Sequence, residues 1–123
     1  MADHLLTHCA TVVFENRLKS LVNVEAWRDL EGFGNGIEAH ESVVTALGCF
    51  SLFPKSFERA IATALWLGGD TDTIAAMTGA LVGAHIGSDF ADSLPIHKLE
   101  DGSQFIEHLK TTARRIVSRI SPG

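Results

Sequence analysis

The sequence has no excess of basic charge. Ten lysines and arginines stand against fifteen aspartates and glutamates, a formal net charge of −5. The basic residues are scattered apart from Arg114-Arg115, which excludes a broad surface for nucleic acid or anionic membrane. An anionic ligand would have to be held locally, by a metal or by backbone amides. Cysteine is scarce as well. Cys9 and Cys49 lie in apolar patterns without Cys-x-x-Cys spacing or a Cys/His cluster, so buried free thiols in a reducing compartment are expected.

Other absences narrow the class further. Met1-Ala2-Asp3-His4 lacks the basic-then-apolar order of a signal peptide. The apolar stretch Ile74 to Ile86 falls short of the roughly 20 residues a membrane span needs and carries glycines, so it reads as a core helix of an intracellular protein. No segment has the alternation of a strand, and no repeat or linker interrupts the 123 residues. The expectation is one all-α unit over 1–123.

What is present is helical spacing. Asp3 to Val22 carries Leu5, Leu6, Cys9, Val12, Val13, Leu18, Leu21 and Val22 on one side, with His4 and His8 a turn apart but lacking an acidic or cysteine partner. Val24, Trp27 and Leu30 recur every third residue, enough for a short helix over 23–30. Glu31-Gly32-Phe33-Gly34-Asn35-Gly36-Ile37 then breaks the pattern. A loop so rich in glycine brings backbone close to another segment or to a ligand, yet it lacks the Gly-Lys-Ser/Thr ending of a P-loop. Helical spacing resumes from Glu38 to Phe53, stops at Pro54, and restarts behind a Ser56 cap with Phe57, Ala60, Ile61, Ala64 and Leu65. A last amphipathic helix places Phe105, Ile106, Leu109, Ala113, Ile116, Val117 and Ile120 inward, with Arg114, Arg115 and Arg119 on a solvated face.

The central feature is Leu67-Gly68-Gly69-Asp70-Thr71-Asp72-Thr73, which joins two helices. Spacing leaves two readings open: Asp70 caps the following helix while Asp72 complements its dipole, or the two carboxylates hold a hard divalent cation. A phosphotransferase signature would need a strand before the first Asp and Thr or Val where Ile74 stands. An EF-hand would need a Gly and a distal Glu that are missing here. Beyond the motif, Gly79, Gly83 and Gly87 at four-residue spacing imply a closely packed neighbouring helix, because each interior glycine costs about 1 kcal/mol against alanine. His85 near that helix end reads as a core or rim residue.

Two stretches together resemble the ADP-ribosylhydrolases of the DraG-like class, nearest their serine-specific branch. They are Gly34-Asn35-Gly36-Ile37-Glu38-Ala39-His40-Glu41-Ser42-Val43-Val44-Thr45-Ala46 and Leu67 to Ala75, with Arg17-Leu18-Lys19 upstream. The resemblance implies an all-α orthogonal helical bundle, a centre of two Mg2+ ions and hydrolysis of O-linked ADP-ribose, as on serine, in poly-ADP-ribose or in O-acetyl-ADP-ribose. It makes Asp70, Asp72 and Thr73 metal ligands and places Asn35, Gly36, Ile37 and Gly69 along the ADP-ribose pocket. The implied partners are ADP-ribose or ADP-ribosylated protein, without nucleic acid or membrane. The complete protein would be a monomer in cytoplasm, nucleus or mitochondrial matrix.

Departures qualify this. His40 replaces an aromatic or apolar residue and Val44 a proline, the connection from Phe53 to Phe57 is short, and the family's Thr-Asp-Asp stretch, phosphate loop and catalytic glutamate have no counterpart. The chain therefore reads as the C-terminal part of such a domain, holding half of the metal site and inactive alone. The alternatives are a non-catalytic binding or structural relative, or an inactive truncated product.

Overall fold

The structure, a computed structural model, describes residues 12–87, 94–95, 98 and 102–121. The first nine residues of the predicted N-terminal helix, with His4, His8 and Cys9, lie outside them. The described residues are helical with no strand among them. They contain no helix long and apolar enough to cross a membrane. Contacts divide the chain into two units, Met1–Gly87 and Ser88–Gly123.

In the first unit, α1 (Val12–Ser20) passes through a 3-10 turn (Leu21–Asn23) to a second 3-10 helix (Trp27–Phe33). Helices α2 (Ala39–Leu52), α3 (Phe57–Leu67) and α4 (Thr71–Ile86) follow. The predicted helix at 23–30 is thus shifted and tightened. Trp27, Leu30 and Phe33 repeat every third residue, the period of a 3-10 helix, so one face carries all three. Burial of Leu30 and Phe33 in the core draws Gly32 and Phe33 out of the expected loop. The start of this helix is held by the Asp29 carboxylate, which accepts the N–H groups of Ala26 (2.9 Å) and Glu25 (3.0 Å). Those two bonds lower the Asp29 pKa below the usual aspartate value.

Helix α2 packs against α1, the second 3-10 helix, α3 and α4. Apart from Val43, every residue from Ser42 to Cys49 is buried. A helix covered on several sides must satisfy its own polar groups, and these do. Ser42 donates to Glu38 O (3.2 Å), Thr45 to Gly34 O (2.6 Å), and on α4 Thr78 donates to Ile74 O (2.7 Å). No described buried side-chain polar atom is left without a partner. Cys49, fully buried here as a free thiol, has its pKa pushed up to about 11, chiefly by desolvation.

The helix ends follow local chemistry. Ser56 caps α3 by accepting from Arg59 N (3.4 Å), and Gly68 closes it at φ +75° with its N–H on Leu65 O. Gly79 of α4 faces Phe57 and Ile61 of α3, where a Cβ would sit 3.3 Å and 3.4 Å from their side chains, so close packing explains that glycine. Gly87 differs from the expectation. It ends α4 at φ +81° with no described atom within 4 Å of where a Cβ would sit, so its backbone conformation calls for glycine where the described packing does not. His85 is exposed and sets its ring edge-on to Phe50 at 5.7 Å.

In the second unit, α5 (Gly102–Ile120) has the predicted amphipathic sequence. Its apolar stripe is not inward as expected: Phe105, Leu109, Ile116, Val117 and Ile120 are all exposed.

Candidate functional site: two glycine turns locked together

The Gly34–Gly36 loop is tied down from one side by α2. Its entry, Phe33, offers its carbonyl to the Arg17 guanidinium. Thr45, in the buried centre of α2, donates to Gly34 O. Glu41 lies in the first turn of α2 and reaches back to accept Gly36 N–H at 2.9 Å, as the glutamate of a capping box does toward the chain preceding its helix. There is no room for side chains under that carboxylate. A Cβ on Gly34 would meet it at 2.8 Å and one on Gly36 at 2.2 Å, and Gly34 also sits at φ +87°.

From the other side, the loop grips the turn before α4. The Asn35 carbonyl accepts Asp70 N–H at 2.7 Å, and its side-chain amide donates to Leu67 O at 2.8 Å. Between these bonds lie Gly68 and Gly69, both at positive φ. A Cβ on Gly69 would stand 2.2 Å from the Asn35 carbonyl oxygen, so only glycine permits the contact. Trp27 of the second 3-10 helix and Trp66 of α3 meet edge to face at 5.9 Å and join the two elements that lead into the loop and the turn.

This interlock delivers Asp70, Asp72 and Thr73 to the start of α4. Asp70 occupies the cap position (φ −78°, ψ 64°), but its side chain accepts no capping hydrogen bond, contrary to the simpler of the two readings of the motif. Asp70 is half-buried, while Asp72 and Thr73 are exposed. Thr71 Oγ1 and Asp72 Oδ1 are 3.5 Å apart. Ile37 is 83% exposed beside the loop. Among the described residues no group of three or more His, Cys, Asp or Glu side chains could hold a metal. Asp70, Asp72 and Thr73 are therefore at most part of a donor set, of a kind that suits a hard cation.

The resemblance placed Asn35, Gly36 and Gly69 along one pocket, and the structure adds what holds them. Glu41 and Thr45 stand in the sequence only as members of the Gly34–Ala46 stretch, with no role assigned to either. The only local signal was a glutamate in the third position of a helix just after a glycine loop.

The model of the ADP-ribosylglycohydrolase family matches residues 3–122. The chain belongs to that family. Among curated ADP-ribosylglycohydrolase relatives, ADP-ribosylhydrolase ARH3 of Danio rerio is 39% identical over 99 residues, covering 72% of this chain and 26% of that protein. ADP-ribosylhydrolase ARH3 of Homo sapiens is 48% identical over 67 residues, 46% of this chain and 18% of its own length. The Xenopus tropicalis protein of the same name is 47% identical over 66 residues, 46% of the chain and 19% of that relative. The chain thus spans about a quarter or less of the relatives it matches. No solved structure matches it significantly.

Proposed function

We propose that this chain is the C-terminal part of a magnesium-dependent ADP-ribosylhydrolase domain that removes O-linked ADP-ribose, as on serine, from modified proteins. The observation that carries the reading is the interlock of the Asn35 loop with the Gly69 turn, which brings two sequence-distant motifs of one family into hydrogen-bonding contact. Asp70, Asp72 and Thr73 supply oxygen donors on one helical turn, and the Asp70 carboxylate is unspent on capping. Two bound magnesium ions would polarise the ribose hydroxyls and a water near the anomeric carbon. Within this chain, Asp70, Asp72 and Thr73 would hold the ions, while Ile37, with Asn35, Gly36 and Gly69, would form a wall against the ADP-ribose. The remaining ligands and the proton-transfer group come from the rest of the domain, so the isolated chain does not turn over substrate.

The decisive experiment is calorimetry of ADP-ribose binding with and without magnesium in the complete domain that carries this chain. Asp72→Asn is expected to abolish the magnesium-dependent part of the affinity, and unchanged affinity would remove the ligand assignment. The isolated chain should not release ADP-ribose from a serine-modified peptide in magnesium buffer; turnover by it would overturn the half-site reading. The second reading is a binding relative without catalysis. It predicts magnesium-dependent ADP-ribose binding by the complete domain with no release from the peptide.

A further inference from the structure

We infer that Glu41 and Asn35 are positioning residues that transmit the rigidity of α2 to the Asp70 carboxylate. The inference rests on reading Asp70 as a metal ligand. The Gly68-Gly69-Asp70 turn has two consecutive glycines at positive φ and no side-chain cap on the helix it begins. Left to itself, such a turn has more backbone freedom than any other part of the motif.

Its order comes from Asn35, which holds it at both ends: the Asn35 carbonyl takes Asp70 N–H and the Asn35 amide donates to Leu67 O. Asn35 cannot do this unless it is itself fixed. Its two neighbours are, because Gly34 O accepts from Thr45 and Gly36 N–H donates to Glu41, both side chains of α2. Thr45 is fully buried, so that helix provides a stationary anchor. The path from α2 to Asp70 is therefore a continuous series of hydrogen bonds of 2.6–2.9 Å. Glu41 carries out this role by accepting a hydrogen bond, and glutamine retains that acceptor.

The test is amide hydrogen exchange by NMR on the metal-free complete domain that carries this chain, followed by a Mn2+ titration read as paramagnetic broadening of the Asp70–Thr73 amides. Glu41→Ala should raise exchange at Gly36 and Asp70 by about tenfold, the loss of one net hydrogen bond. Asn35→Ala keeps the backbone carbonyl that accepts Asp70 N–H but loses the amide bond to Leu67 O, and should raise exchange at Asp70 by loosening the turn while keeping Gly36 protected. Glu41→Gln should restore both amides to within about threefold of wild type, since its carbonyl still accepts. The apparent Mn2+ dissociation constant should rise about tenfold in both alanine variants and recover in the glutamine variant.

Faster exchange at Gly36 with Asp70 unchanged would overturn the inference. So would a lowered melting temperature with unaltered Mn2+ affinity, the mark of a merely structural role. If Glu41→Ala does not fold, Asn35→Ala and Glu41→Gln decide the matter by the same two readouts. Failure of the wild-type complete domain to bind Mn2+ would refute the ligand reading of Asp70; the exchange pattern would still judge the link from α2 to the turn.

Discussion

Replacing Gly69 with alanine tests the interlock at its tightest point. Gly69 adopts φ +69°, a conformation that costs an L residue about 1–2 kcal/mol. The new Cβ would also lie 2.2 Å from the Asn35 carbonyl oxygen and 2.4–2.6 Å from Asn35 side-chain atoms. The first of these is backbone and cannot swing away, so the loop must move and the Asp70 N–H bond to that carbonyl is lost, at about 1 kcal/mol. With about 1–2 kcal/mol more for overpacking, the total is about 4 kcal/mol, a large share of the 5–15 typical of a folded domain. Gly68→Ala is the internal control. Its nearest neighbour is the Asn35 amide nitrogen at 3.8 Å, an ordinary contact, so only the conformational cost of its φ +75°, ψ −159° backbone applies, about 1–3 kcal/mol. Urea unfolding followed by Trp27 and Trp66 fluorescence and by helical circular dichroism should separate the variants by about 2 kcal/mol, or roughly 8 °C in melting temperature. Equal costs at Gly68 and Gly69 would refute the claim that the two turns are pressed together.

Three further outcomes are expected. Gly48→Ala places a Cβ 2.3 Å from Leu30 Cδ2 inside the core and should destabilise by about 1–2 kcal/mol despite better helix propensity, whereas Gly79→Ala, facing side chains at 3.3–3.4 Å, should stay within about 0.5 kcal/mol of wild type in the same urea assay. Cys49, with its thiol pushed up to about 11, should be alkylated by iodoacetamide at pH 8 about 100-fold more slowly in the folded chain than in denaturant, as read by peptide mass spectrometry. Because the folded thiol holds its proton more tightly than the unfolded one, its contribution to stability is complete below its ordinary value of 9.0 and is lost as pH rises toward about 11. Asp29 has the opposite sign. Its lowered pKa makes its contribution complete above the usual aspartate range and lost on further acidification, so the Glu25 and Ala26 amide shifts should titrate together with its carboxylate, and Asp29→Asn should abolish that titration.

The outline of the helices was legible because its signals are local. Ser56, Gly68 and Pro54 mark ends through hydrogen bonding or fixed dihedral angles within a few residues, and the apolar spacing from Val43 to Leu47 and from Phe57 to Leu65 directs each helix to a core. The 3-10 form of Trp27–Phe33 was present as a period of three, but the sequence gives only a short helix over 23–30, because three repeats over so short a stretch do not distinguish 3-10 from α. The exposed stripe of α5 illustrates the opposite limit, since periodicity states which side of a helix is apolar and not what covers it.

The sequence by itself determined an all-α chain, the family to which it belongs, and the Asp70, Asp72 and Thr73 cluster at the start of a helix. Only the tertiary structure decided that Asn35 closes on Gly69, that Glu41 and Thr45 brace the loop, and that Asp70 leaves its helix uncapped. The reason is physical. Each bond that locks the two turns has a backbone N–H or C=O on at least one side, a group that carries no residue identity, so the residue types do not mark which of them will pair across the 32 positions from Asn35 to Leu67.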